Sequence, residues 1–197
     1  MNSKELGNRY DKIATWWTEE MKDSDYGISY IKKAISFTNK NAKVLDIGCG
    51  SNGRIIDEAL KNNFEILGID VSAEMIRIVK EKYPNVMFIK ADFNEWTTSK
   101  YFDLIIAWDS VFHLPKHLQK DMTIKMCNLL TKNGVLLFTA GGIEGDISGE
   151  MKGVLFEYGS LNYSGYLKII EEMQCKIILM ERDQYPLDHM VFICQKT

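Results

Sequence analysis

The sequence predicts an α/β protein with a doubly wound, mainly parallel sheet. Between residues 43 and 139, apolar runs typical of strands alternate with apolar-periodic segments typical of helices. The connections between these segments are short, as expected where crossover helices join parallel strands. The run Phe102–Ala107 is mostly apolar, which is typical of a strand covered by helices on both faces of its sheet.

The first forty or so residues predict a helical cap ahead of the sheet. Residues 3 to about 38 are helix-like, with Ser3 capping a first helix and a second helix covering Tyr26–Phe37. The first helix has an apolar stripe at helical spacing, formed by Leu6, Tyr10, Ile13, Ala14 and Trp17. The cap is rich in aromatic residues, and it would either pack on the core or lie over a substrate.

The segment 41–140 predicts five strands and three helices that alternate. The predicted strands are Lys43–Ile47, Glu65–Ile69, Val86–Lys90, Phe102–Ala107 and Val135–Thr139. The predicted helices are Gly53–Lys61, a helix capped by Ser72 and ended by Tyr83-Pro84, and Lys116–Leu130.

The alternation stops after residue 140. Residues 140–162 contain six glycines and predict a long loop or a short hairpin. Ser164 then caps a helix that runs to about Met173, and Lys176–Glu181 and Met190–Cys194 predict two last strands. We therefore expect one domain, 1–197, made of a helical cap (1–40), a core (41–140), a lid or insertion (141–163) and a C-terminal helix with a strand hairpin (164–197).

A glycine loop follows the first strand and indicates a nucleotide-cofactor site. The strand ends at Gly48, and Gly50 and Gly53 follow before the next helix. Glycine lets the backbone turn with positive φ and approach a ligand closely, and the N–H groups of the following helix then face that ligand. The second strand ends in Asp70, where a carboxylate can accept hydrogen bonds from a ribose diol.

The acid before the first glycine separates two cofactor classes. Asp46 would repel a pyrophosphate but suits a ligand that carries an ammonium group. The segment 46–53 (DIGCGSNG) resembles the first motif of the class I S-adenosylmethionine-dependent methyltransferases, although many members have glycine where Asn52 stands. A nicotinamide oxidoreductase is disfavoured by Asp46 and by the lack of a Tyr-x-x-x-Lys pair.

The resemblance implies a seven-stranded sheet with an antiparallel last strand and S-adenosyl-L-methionine as the cofactor. It implies that Asp70 binds the ribose, Val71 packs on the adenine, Asp92 bonds the adenine amino group, and Phe93 offers its backbone N–H to the ring. The full set expected to bind the cofactor is Asp46, Gly48, Cys49, Gly50, Asp70, Val71, Met75, Asp92, Phe93 and Trp108.

The segment after the fourth strand resembles that of small-molecule methyltransferases, where a His follows the strand. His113 is the candidate base because its ordinary pKa lies near neutrality, and a purely structural role for it has equal weight. Asp109 could assist catalysis or bind a divalent ion; no further ligands can be named, so we predict no metal. The substrate candidates are Tyr10, Trp16, Trp17, Tyr26, Phe112, Tyr158, Tyr163 and His189.

The composition is that of an ordinary globular protein with a formal net charge of −3. The lysines are scattered, so a nucleic-acid partner is not indicated. The four cysteines have no metal-ligand spacing and predict buried, reduced thiols. We expect a cytoplasmic protein with no membrane-spanning segment, as a monomer or a homodimer.

The predicted function is direct in-line methyl transfer to an O or N atom of a small-molecule acceptor. Two alternatives stay open. One is a methyltransferase that acts on RNA or protein. The other is a non-catalytic subunit that binds S-adenosylmethionine or S-adenosylhomocysteine and regulates a partner.

Overall fold

A computed structural model of the protein describes residues 2–197. The strands are β1 (Lys43–Ile47), β2 (Glu65–Asp70), β3 (Met87–Lys90), β4 (Phe102–Ala107), β5 (Leu130–Gly141), β6 (Gly145–Met151), β7 (Val154–Ser160), β8 (Cys175–Arg182) and β9 (His189–Lys196). The helices are α1 (Ser3–Met21), α2 (Ile28–Ser36), α3 (Arg54–Lys61), α4 (Ala73–Lys82), α5 (Lys116–Asn128) and α6 (Tyr163–Glu172), with a 3-10 turn at Val111–His113.

Seven strands form one sheet in the order β3-β2-β1-β4-β5-β9-β8. β1 pairs in parallel with both β2 and β4, and β3 and β5 extend the parallel arrangement on either side. β9 pairs antiparallel with β5 and with β8. The doubly wound sheet and its antiparallel last strand are thus as predicted. The strand order reverses at β1, where such sheets bind ligands beyond the carboxyl ends of the strands.

Buried apolar side chains cover both faces of this sheet. On one face, Leu45, Ile105 and Phe138 belong to a cluster that includes residues of α5 and α6. On the other face, Val44 and Leu104 belong to a cluster that includes residues of α2, α3 and α4. Alternate residues of each strand therefore point to opposite helix layers, which explains why these strands are apolar on both sides.

The N-terminal cap consists of α1 and α2, and its start differs from the prediction. Asn2, not Ser3, caps α1: its side chain accepts a hydrogen bond from the N–H of Glu5, and the Glu5 side chain accepts one from the N–H of Asn2. This reciprocal pair satisfies two N–H groups at once, which a lone Ser3 cap does not. The predicted second helix is shorter than expected, because Gly27 takes up a left-handed φ of 83° before Ile28.

The boundary between α5 and β5 was also predicted wrongly. α5 ends at Asn128, and β5 begins at Leu130 rather than at Val135. Leu130 pairs with Phe102, and Val135 pairs with Leu104. The register shifts between these two pairs, as at a β-bulge. Asn133 takes a left-handed φ of 62° within this irregular region. Pairing with β4 therefore overrides the helical pattern that continues to Leu130 in the sequence.

The glycine-rich segment after β5 forms the hairpin β6–β7, which is one of the two predicted alternatives. Its turn is Lys152-Gly153, and both residues have positive φ (54° and 74°). This two-residue geometry matches the right-handed twist of the paired strands. The hairpin forms its own two-stranded sheet.

The C-terminal elements are present as predicted, with shifted boundaries. Asn162, not Ser164, caps α6 by accepting a hydrogen bond from the N–H of Gly165. Both last strands are longer than expected, because β8 and β9 pair with each other over nearly their whole length. No helix among residues 2–197 has the length and apolar character needed to cross a membrane.

Candidate active site

The glycine loop turns sharply between β1 and α3. Gly48, Gly50 and Gly53 all have positive φ (73°, 56° and 81°). A Cβ on Gly48 would lie 2.3 Å from Cβ of Ser110, so this position has no room for a side chain. The N–H groups of Gly48 and Cys49 both donate to the carbonyl of Ile69, at 2.8 and 3.1 Å. The loop is therefore held against the end of β2.

A cleft lies at the carboxyl ends of β1, β2 and β4. Of the ten residues expected to bind the cofactor, nine line it: Gly48, Cys49, Gly50, Asp70, Val71, Met75, Asp92, Phe93 and Trp108. The tenth, Asp46, lies buried within β1. Both predicted catalytic residues, Asp109 and His113, also line the cleft. The parallel strands thus bring together residues far apart in the sequence.

Asp70 joins the glycine loop to the start of α4. Its carboxylate accepts hydrogen bonds from the N–H of Gly50 at 2.9 Å and from the N–H of Ser72 at 2.8 Å. Burial raises the pKa of Asp70, and these two backbone hydrogen bonds act in the opposite direction, with a net increase. A carboxylate at this position can accept further hydrogen bonds from a bound hydroxyl group.

Asp46 is a buried acid without a hydrogen-bond partner among residues 2–197. It is 1% exposed, and neither carboxylate oxygen is bonded. Burial, reinforced by the charge of Asp70 and opposed by that of Arg54, raises the pKa of Asp46 to about 8. An unpartnered buried polar group costs about 1–3 kcal/mol, and a cationic ligand would relieve this cost.

Arg54 is a site residue that the sequence analysis missed. It is the first residue of α3, it lines the cleft, and its Nε is buried without a partner in the described chain. Its guanidinium lies 5.5 Å from the ring centroid of Tyr26. The detectable signal was a cationic residue immediately after the last glycine of the loop, at a helix N-terminus that already favours anions.

Lys125, which the sequence did not point to, holds the segment after β3 through hydrogen bonds to its backbone. The N–H of Asn94 donates to Oδ1 of Asp92 at 2.8 Å. Nζ of Lys125, on α5, donates to the carbonyls of Asn94 at 3.1 Å and of Trp96 at 2.6 Å. These bonds fix the turn that carries Asp92 and Phe93 at the edge of the cleft.

Both ring nitrogens of His113 are hydrogen bonded. Nδ1 lies 3.1 Å from the carbonyl oxygen of Glu157, and Nε2 lies 2.7 Å from the hydroxyl of Tyr10. A carbonyl cannot donate, so Nδ1 carries the proton and Nε2 accepts from Tyr10. Burial lowers the pKa of His113 to about 4. His113 is therefore neutral, and its one lone pair is engaged by Tyr10.

Asp109 has a strained backbone and a shared carboxylate. Its φ is 50°, in the left-handed region. Its N–H donates to Oγ1 of Thr139 at 2.8 Å, and the Thr139 hydroxyl donates to Oδ1 of Asp109 at 3.2 Å. Oδ1 also lies 3.0 Å from Nε2 of His189. Across the described residues, no group of three His, Cys, Asp or Glu side chains is arranged to hold a metal ion.

The predicted substrate residues divide into three groups. Tyr10 and Trp17 line the cleft from α1. Tyr26, Phe112, Tyr158 and His189 lie outside that lining, in aromatic contact with Trp108, His113 or one another. Trp16 and Tyr163 do not line the cleft, and Tyr163 is 52% exposed at the start of α6. Trp16 reaches the cleft only through its edge contact with Trp17, with ring centroids 6.3 Å apart, and Tyr163 is not brought to the cleft.

Helix α1 is attached to the cleft at several points. Oδ1 of Asp11 accepts from the hydroxyl of Ser72 at 2.6 Å and from the N–H of Glu74 at 3.0 Å. A Cβ on Gly7 would lie 2.5 Å from the carbonyl oxygen of Val71. The helix therefore lies directly on the loop after β2 and covers that side of the cleft.

A second cavity lies between the hairpin and the start of α5. Its lining includes Tyr158 and Asp146, and it shares His113 with the cleft. His113 therefore separates the two spaces.

Comparison with known proteins agrees with this geometry. Residues 44–134 match the family model described as a methyltransferase domain. The chain is 35% identical over 95 residues to the ubiquinone/menaquinone biosynthesis C-methyltransferase UbiE of Campylobacter jejuni, covering 42% of the chain and 40% of that protein. It is 30% identical over 122 residues to the phosphoethanolamine N-methyltransferase of Plasmodium falciparum, covering 59% of the chain and 46% of that protein.

The same fold is found in a solved structure. The magnesium protoporphyrin IX methyltransferase of Synechocystis with bound S-adenosylmethionine superposes with a TM-score of 0.74 at 13% identity, covering 100% of the chain and 98% of that protein. The chain spans half or less of the length of the curated relatives described above.

Proposed function

We propose that the chain, whose residues 44–134 match a methyltransferase-domain model, is a class I S-adenosylmethionine-dependent methyltransferase that transfers a methyl group to an oxygen or nitrogen atom of a small-molecule acceptor. The observation that carries this proposal is Asp46, which is buried at the end of β1 with neither carboxylate oxygen bonded among the described residues. S-adenosylmethionine carries an ammonium group, and its positive charge in the neighbouring cleft would favour the ionised form of this acid.

The residues of the cleft fit the rest of this cofactor. Arg54, with an unpartnered Nε, and the N–H groups at the start of α3 would hold the carboxylate of the methionine part. Asp70 would accept from the ribose hydroxyls. At the other end of the cleft, Asp92 and the backbone of Phe93 would bind the adenine, and Val71 and Met75 supply apolar surface to the ring.

When bound, S-adenosylmethionine supplies a methyl group on a positively charged sulfur, and in-line displacement passes it to the acceptor's lone pair as the carbon–sulfur bond breaks. The protein's contribution is then mainly to place the acceptor in line and to exclude water. Helix α1 serves both needs through Tyr10 and Trp17, which line the cleft.

The acceptor also loses a proton, and the two predicted catalytic residues differ in their ability to help. Asp109 lines the cleft, and its Oδ2 accepts no hydrogen bond from residues 2–197, so it can receive an N–H or O–H of the acceptor. The lone pair of His113 is engaged by Tyr10, so a proton could reach it only through the Tyr10 hydroxyl. We assign first contact with the acceptor to Asp109 and treat His113 as a base only through Tyr10.

A small-molecule acceptor is supported by the relatives named above, one of which acts in quinone biosynthesis and another on phosphoethanolamine by name. The first relative is a C-methyltransferase, so any search for the acceptor must include carbon nucleophiles. The alternatives of an RNA or protein acceptor, or of binding without catalysis, lack a supporting observation in the structure.

Two measurements test the proposal. Calorimetry with S-adenosylhomocysteine should show binding at one site, whereas NADH should not bind. A screen with S-adenosylmethionine labelled in its methyl group should then transfer label to a member of a small-molecule pool of amines, phenols, carboxylates and quinol precursors. NADH binding without S-adenosylhomocysteine binding would refute the cofactor, and label transfer only to RNA or protein would refute the acceptor class.

A further inference from the structure

We propose that His189 is a positioning residue: as an imidazolium shared between Asp109 and Asp183, it holds the Asp109 carboxylate at the cleft so that Oδ2 faces the methyl acceptor. This inference rests on the proposed function only in taking the molecule that Asp109 faces to be a methyl acceptor. The ion triad itself rests on the contacts of His189, which starts β9.

The two ring nitrogens of His189 face two different carboxylates. Nε2 lies 3.0 Å from Oδ1 of Asp109, and Nδ1 is hydrogen bonded to Oδ1 of Asp183. A carboxylate accepts but does not donate, so both nitrogens must carry protons if both acids are ionised. Only the imidazolium form satisfies that requirement. This differs from His113, where a carbonyl and a hydroxyl partner select the neutral ring.

The triad is largely shielded from water. The side chain of His189 is 14% exposed and that of Asp183 is 4% exposed, while Phe112 packs edge-on against the imidazole with ring centroids 6.0 Å apart. Charge-assisted hydrogen bonds in such a setting are shorter and stronger than neutral ones. The contacts therefore have the geometry needed to fix a side-chain orientation.

Asp109 needs such support because its backbone is strained. A φ of 50° is rarely adopted by a residue with a side chain. His189 and Thr139 both bind Oδ1, so that oxygen is fixed from two sides. Oδ2 has no bond to any residue from 2 to 197, and Asp109 lines the cleft. The triad thus leaves one oriented oxygen for the acceptor.

The triad also reaches the helical cap. Oδ2 of Asp183 accepts from the hydroxyl of Tyr26 at 3.0 Å, and the Gln184 side chain contacts the same hydroxyl. Arg54 lies over the Tyr26 ring, and its charge acts on Asp109 as well. Asp109 and Asp183 are therefore the charged groups in contact with His189, and Tyr26 and Arg54 act on it only through them.

These groups decide the ionisation of His189. Burial lowers its pKa, but the hydrogen bonds and charges of Asp109 and Asp183 raise it, with a net increase. The stabilisation due to the charged ring is present below the ordinary pKa of about 6.5 and is lost as pH rises through the higher folded value. The hydrogen bonds of the triad should thus be lost as pH rises through that folded value.

Ring-nitrogen NMR of the intact protein tests the ionisation directly, because the chain has only three histidines. At about pH 7, His189 should show two protonated nitrogens, whereas His113 should show one. In Asp183→Asn and in Asp109→Asn, the His189 titration midpoint should move to lower pH. The signal of exposed His117, removed in His117→Gln, provides the assignment control. A neutral His189 at that pH, or a midpoint unmoved in both variants, would overturn the proposal.

The positioning role is tested with two replacements of His189. His189→Gln can still offer an N–H towards Asp109, whereas His189→Asn can replace only the contact with Asp183. Both should bind S-adenosylhomocysteine within about twofold of the wild type, because no cofactor contact is removed. With the acceptor found in the label-transfer screen, kcat should fall about tenfold or more, further for Asn than for Gln, with KM for S-adenosylmethionine unchanged. His117→Gln should match the wild type.

Equal kcat in the wild type and both variants would overturn the positioning role. Failure of the wild type to bind S-adenosylhomocysteine would instead refute the proposed function. The NMR measurement would still test the ionisation of His189, because it needs no ligand. Should a His189 variant fail to fold, Asp183→Asn tests the same prediction, because it retains the imidazole and removes only its second charged partner.

Discussion

The hydroxyl of Tyr10 donates a hydrogen bond to Nε2 of His113 across 2.7 Å, which joins helix α1 to the turn after β4. On its other side, His113 donates through Nδ1 to the carbonyl of Glu157 in β7. One neutral imidazole therefore connects the N-terminal cap, the end of the central sheet and the hairpin. This connection is one of several that hold helix α1 over the cleft.

Removing the Tyr10 hydroxyl should loosen the cap. In Tyr10→Phe we expect the free energy of unfolding to fall by about 1 kcal/mol, the usual contribution of one partly buried hydrogen bond. Amide hydrogen exchange should accelerate in residues 3–21 more than in β4. Tyr163→Phe is the matched control, because Tyr163 is 52% exposed and should show no change. Equal exchange rates in α1 of both variants would show that this bond does not hold the cap.

His113 should make the protein less stable under mildly acidic conditions. Its pKa of about 4 lies below the ordinary value of 6.5, so its contribution is complete above the unfolded pKa and is lost as pH falls towards the folded one. The difference in unfolding free energy between wild type and His113→Gln should shrink by about 2 kcal/mol from pH 7 to pH 5. Urea denaturation at several pH values measures this, and a difference independent of pH would contradict it.

Cofactor binding should release a proton through Asp46. Its pKa of about 8 means that the free protein holds this acid largely protonated at pH 7, and a bound ammonium would favour the ionised form. The calorimetric enthalpy of S-adenosylhomocysteine binding should therefore depend on the ionisation enthalpy of the buffer, and binding should strengthen as pH rises towards about 8. In Asp46→Asn the buffer dependence should vanish. A wild-type enthalpy that is the same in phosphate and Tris would rule out this linkage.

Without ligand, the same substitution should stabilise the protein at alkaline pH. An acid whose pKa is raised in the folded state destabilises the fold progressively as pH rises from its ordinary pKa of 3.8 to the folded value of about 8, above which the loss is complete. Asp46→Asn cannot ionise, so its free energy of unfolding at high pH should exceed that of the wild type by about 2 kcal/mol. Greater stability of the wild type at that pH would mean that the ionised acid has a partner.

Asp70 should be needed for cofactor affinity. Asp70→Asn keeps a side chain of the same shape, but its single amide oxygen can accept from only one of the N–H groups of Gly50 and Ser72. It loses the charge that would strengthen bonds from a ribose diol, so we expect S-adenosylhomocysteine affinity to fall about 100-fold, or ~3 kcal/mol. Asp121→Asn, on the exposed side of α5, is the control. Unchanged affinity in Asp70→Asn would remove Asp70 from the site.

Substitutions at Gly48 and Gly153 distinguish two reasons why a position requires glycine, namely a positive φ and a lack of space for a Cβ. Both have positive φ (73° and 74°), but a Cβ would strike Ser110 at 2.3 Å only at Gly48 and would meet nothing within 4 Å at Gly153. Gly153→Ala should cost about 1–2 kcal/mol from backbone strain alone. Gly48→Ala should cost more and should also weaken S-adenosylhomocysteine binding. Equal costs, measured by chemical denaturation, would show that the loop relaxes around the new side chain.

Much of the fold could be predicted from local patterns. Each strand of the parallel core has an apolar run bounded by a turn or cap, so both its existence and its place were visible in the sequence. Boundaries were harder where tertiary contacts compete with local preference. Leu130 continues the periodicity of α5, yet it pairs with Phe102 in the sheet. The caps at Asn2 and Asn162 were missed because neighbouring serines are equally good caps by residue type.

The residues proposed to bind the cofactor were also largely visible in the sequence, and nine of them line one cleft. Glycines, a preceding acid and acids at the ends of successive strands follow from chain order, because parallel strands end at one edge of the sheet. Arg54 escaped notice because a cation after a glycine loop is common on exposed helices. Lys125 could not be predicted, since its bonds to the turn after β3 depend on how α5 packs against that turn.

The sequence by itself determined the α/β fold, the glycine loop and the acids around it, because these depend on residue type, spacing and strand direction. Only the tertiary structure decided the roles of the two histidines near the cleft. His113 is made neutral by a carbonyl from β7 and a hydroxyl from α1. His189 meets Asp109 because the antiparallel register of β5 and β9 sets it opposite Gly141. The ionisation of an imidazole depends on its neighbours in space, and in both cases those neighbours include residues distant in the sequence.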